Sequence, residues 1–230
     1  MIFVIFDIDG TLVHSNKVDS QCFADSYQAV FHQPFPSIDW VDYPHVTDDT
    51  IFETVFEKHF SRPYTIAEKQ TFQKHFVDSI IAERKRKPAA FNEVPGAAAM
   101  IKELRKDNRY RVGIATGGWK EPAQIKLDFV GIDYKEIPSG YADGNPTRPD
   151  IILAAIKQAE NKYGVPSKIV YVGDAIWDLT TCQEMELPLI GIRVKGDLSF
   201  FSDRGVEFVF SDYEDLLGFK QAIEAVDGKF

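Results

Sequence analysis

Short apolar runs alternate with helix-spaced apolar positions along most of the chain. The apolar runs predict strands at residues 1–6, 111–115, 168–172, 189–192 and 207–210. Because runs such as IFVIF and KIVYV are continuously apolar, they favour strands that are covered on both faces. Helical spacing lies between them, at residues 95–106, 149–163 and 213–226. Strands that alternate with helices predict an α/β fold, with a Rossmann-like parallel sheet and helices on both faces.

Local signals mark the predicted starts of these three helices. Pro95 and Pro149 suit the first turn of a helix, because the N–H that proline lacks has no partner there. Ser211 and Asp212 precede the third helix and supply side chains that can cap it.

One long segment without a convincing strand interrupts the alternation. Helical spacing within it covers residues 19–31, 48–60 and 66–87. We therefore predict that residues 16–88 are an insertion that folds as an α-helical cap over the edge of the sheet, while residues 1–15 and 89–230 form the core domain. Four aromatic residues at helical spacing predict the interior of the cap: Phe31, Phe52, Phe56 and Phe60.

Composition and charge narrow the class of protein. The 230 residues include 35 acidic and 26 basic ones, and the resulting net charge of −9 disfavours a nucleic-acid partner. The two cysteines, Cys22 and Cys182, lack the spacing of a zinc site or a disulfide framework. Asp7 interrupts the first apolar run too early for a signal peptide or a membrane span, so we expect a cytoplasmic protein.

Two aspartates follow the first predicted strand, in the sequence FDIDGT. Residues i and i+2 of an extended chain point the same way, so Asp7 and Asp9 should face one spot at the carboxyl end of the strand. Like charges held this close raise each other's pKa unless a cation lies beside them. Mg²⁺ binds hard oxygen ligands and commonly uses one or two carboxylates, so the pair indicates a magnesium site.

Other strand ends carry candidate partners for this site. Asp174 and Asp178 follow the strand KIVYV, although an N-terminal cap and a surface residue would explain them equally well. Thr116 and Gly117 follow another strand and could bind a phosphate oxygen through a hydroxyl and backbone N–H groups. Arg148 precedes a predicted helix and would bring a permanent positive charge, unless it is a solvated loop residue.

In this order, the four segments resemble the haloacid dehalogenase superfamily. The matching motifs are FDIDGT, IATGG, a basic residue ahead of a Pro-Asp helix start, and VGDAIWD. The resemblance covers residues 1–15 and about 90–192, and the helical insertion matches the helical-cap subgroup, which includes phosphoglycolate phosphatase-like proteins, in placement and character. It implies a Mg²⁺-dependent enzyme that works through an aspartyl-phosphate.

The resemblance assigns a role to each motif residue. Asp7 would be the nucleophile and a metal ligand, and Asp9 would be the general acid and base, with its backbone carbonyl also reaching the metal. Thr116 and Gly117 would bind the phosphoryl group. Arg148 would neutralise it in the position where lysine is commonest in the family.

The last motif supplies the remaining metal contacts. Asp174 would ligate Mg²⁺ directly, and Asp178 would orient a ligand or its waters from behind. Lys120 and Lys168 are weaker substitutes for Arg148, since the first is predicted a turn into a helix and the second begins a strand at its opposite end. Asn16 and His45 fit either a pocket or solvated loops.

The resemblance also limits the reaction. Family dehalogenases lack the second aspartate and transport ATPases carry threonine there, so Asp9 predicts a phosphatase acting on a small phosphate monoester of the phosphoglycolate, sugar phosphate or nucleotide type. A sugar phosphomutase resembling β-phosphoglucomutase is the nearer alternative, and a non-catalytic ligand-binding protein is the further one. The expected partner is a small phosphorylated metabolite, with no nucleic acid or membrane, and the chain would be a monomer or a dimer.

Overall fold

A parallel sheet of six strands forms the centre of the molecule. The computed structural model describes residues 1–193 and 197–228. Within these residues the strands are β1 (Ile2–Phe6), β2 (Val13–His14), β3 (Asn92–Glu93), β4 (Tyr110–Ala115), β5 (Ser139–Gly140), β6 (Lys168–Gly173), β7 (Leu189–Ile192) and β8 (Phe208–Phe210). The large sheet has the order β5-β4-β1-β6-β7-β8, and every neighbouring pair is parallel.

The register of the central strands places the candidate motifs at one edge. Phe6 at the end of β1 pairs with Ile114 of β4 and with Val172 of β6. The residues that follow all three strands therefore emerge side by side at the carboxyl edge of the sheet, where open α/β folds bind their ligands.

All five predicted strands are present, with ends that differ by one residue in four of them. The strand β5 was not predicted, because two residues are too few to show a hydrophobic period. The short strands β2 and β3 pair antiparallel, with Val13 opposite Glu93, and they join the two chain segments that lead into and out of the cap.

Nine α-helices lie in the described part of the chain. They are α1 (Asn16–Phe31), α2 (Asp48–Phe60), α3 (Ile66–Arg86), α4 (Ala97–Lys106), α5 (Lys120–Phe129), α6 (Arg148–Tyr163), α7 (Ile176–Glu184), α8 (Ser199–Ser202) and α9 (Leu216–Ala225). Buried residues of α6 and α7 pack on one face of the sheet, and those of α4 and α9 pack on the other. The predicted doubly covered α/β fold is confirmed.

Three predicted helix starts are wrong. Helix α1 begins at Asn16 rather than at residue 19. Helix α4 begins at Ala97 rather than at Pro95, because Gly96 adopts a left-handed conformation with φ of 81° and occupies the N-cap. Helix α9 begins at Leu216 rather than at Tyr213, and its cap is Asp215, which accepts a hydrogen bond from the Gly218 N–H at 2.9 Å. Tyr213 is instead buried, and its hydroxyl donates to the Thr11 carbonyl at 3.1 Å.

Helices α1, α2 and α3 occupy the segment predicted as the cap. Thr47 caps α2, and Thr65 forms a capping box with Glu68 at the start of α3. The predicted aromatic interior is confirmed: Phe52 and Phe56 are fully buried, and Phe31 and Phe60 pack against the same cluster. The division into a core of residues 1–15 and 89–230 and a cap of residues 16–88 stays a prediction.

No helix in residues 1–193 and 197–228 combines the length and the apolarity needed to cross a bilayer.

Candidate active site

Three buried carboxylates converge at the carboxyl edge of the sheet. Asp7 follows β1, Asp174 follows β6, and Asp178 lies in the first turn of α7. One carboxylate oxygen from each residue lies within 4.8 Å of the others. The parallel register brings Asp7 and Asp174 together, because β1 and β6 are adjacent strands whose carboxyl ends lie side by side.

Two oxygens of this cluster lack a hydrogen-bond partner among the described residues. They are Asp7 Oδ1 and Asp174 Oδ1, and both are buried. Burial, and next the charge of Asp178, raise the pKa of Asp7 to about 8, although Arg148 opposes the shift. Burial also raises the pKa of Asp174 well above its ordinary value, again with help from Asp178. Unpaired buried carboxylate oxygens are the donors that a hard divalent cation requires, so the cluster fits Mg²⁺.

Asp178 has a full set of hydrogen-bond partners. Its Oδ2 accepts from the backbone N–H groups of Asp174 and Ala175, both at 3.0 Å. Its Oδ1 accepts from the Tyr171 hydroxyl at 3.3 Å and from the Arg148 guanidinium. The side chain therefore fixes the loop that carries Asp174.

Arg148 is buried at the same place and is not the solvated loop residue that the sequence left open. It is the first residue of α6, and its Nη2 lies 3.8 Å from Asp7 Oδ1. Lys120 is the exposed first residue of α5 rather than a residue one turn into the helix. Lys168 is the first residue of β6, at the amino end of the strand and away from the carboxyl edge of the sheet. Its Nζ donates a hydrogen bond to the Glu224 carbonyl at 2.9 Å.

The turn after β4 brings Thr116 and Gly117 against both the sheet edge and the cap. Thr116 is buried, and its Oγ1 accepts from the Gly118 N–H at 3.3 Å. A Cβ on Gly117 would lie 2.6 Å from the Val46 carbonyl oxygen and 2.7 Å from Arg148 Nη1, so the chain at this point has room only for glycine. The Gly117 carbonyl also accepts from the Asp48 N–H at 2.8 Å.

The side chain of Asp9 contacts Lys126 rather than the carboxylate cluster that contains Asp7. Its two carboxylate oxygens lie 2.6 and 2.7 Å from Lys126 Nζ, and Ser15 Oγ donates to one of them. Lys126 also donates to Asp19 Oδ1 of the cap at 2.9 Å. Burial lowers the pKa of Lys126, but Asp19 and Asp9 more than offset this, so the pKa lies above its ordinary value.

Lys126 was not among the residues predicted from the sequence. The available signal was its position three residues after the apolar residue Ala123, which predicts that the two side chains lie on the same face of the helix. Asp19 was missed for the same reason, since it precedes Cys22 and Phe23 on the buried face of α1.

A small cavity of about 90 Å³ joins these groups between the sheet edge and the cap. The core contributes Asp7, Asp9, Thr116, Gly117 and Arg148, and the cap contributes Asn16, Asp19, Phe23, Trp40 and Asp48. Asn16, which the sequence left open, also donates to Asp174 Oδ2 at 3.0 Å. His45 lines a neighbouring cavity.

The family model of haloacid dehalogenase-like hydrolases matches residues 3–185. The chain therefore belongs to the haloacid dehalogenase-like hydrolase family, and it is a hydrolase. Among curated proteins, none matches this chain.

Solved structures of the same fold cover nearly the whole chain. A hydrolase from Pseudomonas syringae is similar with a TM-score of 0.72 at 23% identity, over 97% of this chain and 99% of that chain. A predicted phosphoglycolate phosphatase from Haemophilus somnus has a TM-score of 0.58 at 18% identity, over 95% and 97%. A putative β-phosphoglucomutase from Bacteroides vulgatus has a TM-score of 0.64 at 16% identity, over 97% and 89%. Because these sequence identities are low, the similarities establish a shared fold and nothing further.

Proposed function

We propose that this protein is a Mg²⁺-dependent phosphatase that hydrolyses a small phosphate monoester through an aspartyl-phosphate on Asp7. The observation that carries the proposal is the buried pair of unpartnered oxygens on Asp7 and Asp174, beside the Arg148 guanidinium. Asp7, Asp174 and the backbone carbonyl of Asp9 would hold the ion. When bound, Mg²⁺ would offset the negative charge that a phosphoryl group and two carboxylates bring together.

The residues around Asp7 supply the first half of the reaction. An oxygen of Asp7 forms a bond to phosphorus while the bond from phosphorus to the ester oxygen breaks. Arg148 and Thr116 lie where they can neutralise and hydrogen-bond the phosphoryl oxygens. Asp9 gives a proton to the departing ester oxygen, which leaves as an alcohol.

The second half reuses the same groups. Asp9, now ionised, takes a proton from a water molecule whose oxygen bonds to phosphorus, and the bond between phosphorus and Asp7 breaks. Inorganic phosphate leaves and the Asp7 carboxylate is regenerated. The cavity closed by the cap limits the water that can reach the site.

The volume and the lining of the cavity limit the class of substrate. Its volume of about 90 Å³ suits a phosphoryl group with a short leaving group better than it suits a nucleotide. Asp9 of the core and Asp19 and Asp48 of the cap line this space, and their carboxyl oxygens can accept hydrogen bonds from the hydroxyl groups of a leaving group. We therefore place a small hydroxylated ester, of the sugar phosphate type, first among substrates. A cytoplasmic location and a monomeric or dimeric state complete the proposal.

A panel of phosphorylated metabolites assayed with Mg²⁺ tests the function. We expect wild-type protein to release inorganic phosphate, and Asp7→Asn to reduce the rate by at least about 1,000-fold, or about 4 kcal/mol of activation free energy. Asp203→Asn, which changes an exposed aspartate outside the cavity, is the matched control and should keep the wild-type rate. Undiminished release by Asp7→Asn would refute the assigned nucleophile. Isomerised sugar phosphate in place of free phosphate would identify a phosphomutase.

A further inference from the structure

Lys126 is a buried cation that no motif of the family resemblance includes. Its side chain is 1% exposed, and its Nζ has three carboxylate oxygens within 2.9 Å. Two of these oxygens belong to Asp9 and the third belongs to Asp19. Burying an ammonium group is unfavourable unless it is fully paired, so the geometry of these contacts is tightly determined.

The contacts of Lys126 restrain Asp9 in particular. The ammonium donates to both oxygens of the Asp9 carboxylate, at 2.7 and 2.6 Å, which limits rotation about the last side-chain bond. Ser15 Oγ donates to the same carboxylate from the other direction. Lys126 itself does not line the cavity between the sheet edge and the cap, whereas Asp9 does. Any effect of Lys126 on a substrate must therefore pass through Asp9 or Asp19, which both line the cavity, and Lys126 contacts both carboxylate oxygens of Asp9 but only one of Asp19.

The third contact connects this arrangement to the cap. Asp19 lies in α1, whereas Lys126 lies in α5 of the core. Their ion pair at 2.9 Å exists only while the cap helix lies against the core. The cap therefore completes the ion-pair network that fixes Asp9.

We propose that Lys126 is a positioning residue for Asp9, and that it holds the carboxylate aimed at the leaving-group oxygen with Asp19 of the closed cap as its second anchor. The inference rests on the proposed function, because it assigns Lys126 to the proton-transfer half of that reaction. It concerns a group other than Arg148, which contacts Asp7 and Asp178.

The choice of leaving group separates this role from a structural one. An alkyl phosphate expels a strongly basic oxygen and needs a well-placed proton donor, whereas p-nitrophenyl phosphate expels a stable anion and needs little protonation. Loss of the donor's position should therefore slow the first ester much more than the second. A general loosening of the fold would slow both esters alike.

The experiment compares wild-type protein, Lys126→Met and Lys126→Arg on these two esters with saturating Mg²⁺. We expect Lys126→Met to lower kcat for the alkyl ester by about 100-fold or more, a typical contribution of general acid catalysis, and for p-nitrophenyl phosphate by less than about tenfold. KM should change by less than about threefold, because Lys126 does not touch the substrate. Lys126→Arg keeps a cation and should recover part of the rate on the alkyl ester.

Lys220→Met is the matched control. Lys220 is a partly buried lysine that also pairs with two carboxylates, Glu103 and Asp107, but it lies away from the cavity. We expect this variant to keep the wild-type ratio of the two rates. The double variant Lys126→Met/Asp19→Asn keeps the test valid if Lys126→Met unfolds, because it removes one of the two carboxylates that the missing cation leaves unpaired.

The outcomes distinguish the two proposals. Equal losses on both esters in a folded Lys126 variant, or no loss on either, overturn the positioning role while the phosphatase function stands. A folded wild-type protein that releases phosphate from no ester overturns the proposed function, and this inference with it. A selective loss on the alkyl ester supports both.

Discussion

Arg148 and Asp178 form a buried ion pair that connects the first turns of α6 and α7. The guanidinium also contacts the Tyr171 hydroxyl at 3.3 Å, and Asp178 accepts two backbone N–H groups of the Asp174 loop. Because both charges are removed from water, each depends on the other for its solvation. The pair therefore stabilises the fold and at the same time places a cation beside Asp7.

Removal of this cation should strongly destabilise the protein. We expect Arg148→Met to lower the free energy of unfolding by about 3–5 kcal/mol, because it leaves the buried charge of Asp178 without a counter-ion. Arg86→Met is the control, since Arg86 is 60% exposed in its pair with Glu83 and its removal should change the stability little. Urea denaturation measures both values. A loss of similar small size in the two variants would mean that the buried environment of Asp178 does not depend on Arg148.

The carboxylate cluster should make stability depend on pH and Mg²⁺ together. The pKa of Asp7 is raised from 3.8 to about 8, so the metal-free folded protein holds a proton that the unfolded chain has released between these values. Its stability should therefore fall as pH rises through that window and level off above it. The proposed Mg²⁺ would bind the ionised carboxylates, so its addition should raise the melting temperature more at pH 8 than at pH 6.

Thermal unfolding with EDTA or with Mg²⁺ at the two pH values measures this linkage. Asp7→Asn removes the titrating group, so its metal-free stability should vary less over the same range. An equal Mg²⁺ effect at pH 6 and pH 8 in the wild-type protein would contradict the prediction.

At the scale of elements, the turn between β4 and α5 is where the core meets the cap. Gly117 approaches the Val46 carbonyl, and Val46 has φ of 43°, an unusual conformation for a β-branched residue. Trp119 follows and packs into the aromatic interior of the cap, with ring centres 5.8 Å from Phe23 and 5.7 Å from Phe72. This turn therefore carries Thr116 and also packs against the cap.

Adjacent glycines in this turn offer a controlled test of the close approach. In Gly117→Ala the new Cβ would lie 2.6 Å from a backbone oxygen that cannot move independently, so we expect a loss of about 1–3 kcal/mol in stability. In Gly118→Ala the nearest atoms lie at 3.7 Å, which is ordinary contact, and stability should change little. Denaturation midpoints compare the two variants. Equal effects would show that the steric contact with the cap is unimportant.

At the scale of the whole molecule, the cap and the core share one apolar cluster. It runs from the sheet residues Val4 and Phe6 to the cap residues Phe52 and Phe72. Trp119 and the ion pair of Lys126 with Asp19 add specific contacts across the same boundary. Such continuity favours a single cooperative unit.

We therefore expect the cap and the core to unfold in one transition. Urea curves followed by tryptophan fluorescence and by far-ultraviolet circular dichroism should coincide. Trp119→Phe should shift both curves to lower urea together, because it removes packing that belongs to both parts. Two separated transitions would show that the cap unfolds on its own.

The sequence alone predicted the central sheet and the positions of Asp7 and Asp174 in the candidate site. Continuous apolar runs have a local period, so β1 and β6 could be predicted to within a residue, and Asp7 and Asp174 follow directly from where those strands end. Helix starts were less certain, because Gly96 and Asp215 cap their helices through conformations that the neighbouring Pro95 and Asp212 did not reveal.

Only the tertiary structure decided which charges meet. Asp9 lies in the loop after β1, Asp19 in α1 and Lys126 in α5, and the three form one ion-pair network although no spacing along the chain relates them. Hydrophobic periods and turn signals act between neighbours in sequence, whereas the burial of a cation depends on every group packed around it. The sequence alone therefore predicts the strand ends at which the candidate site lies. The tertiary structure decides which side chains contact and orient the residues there.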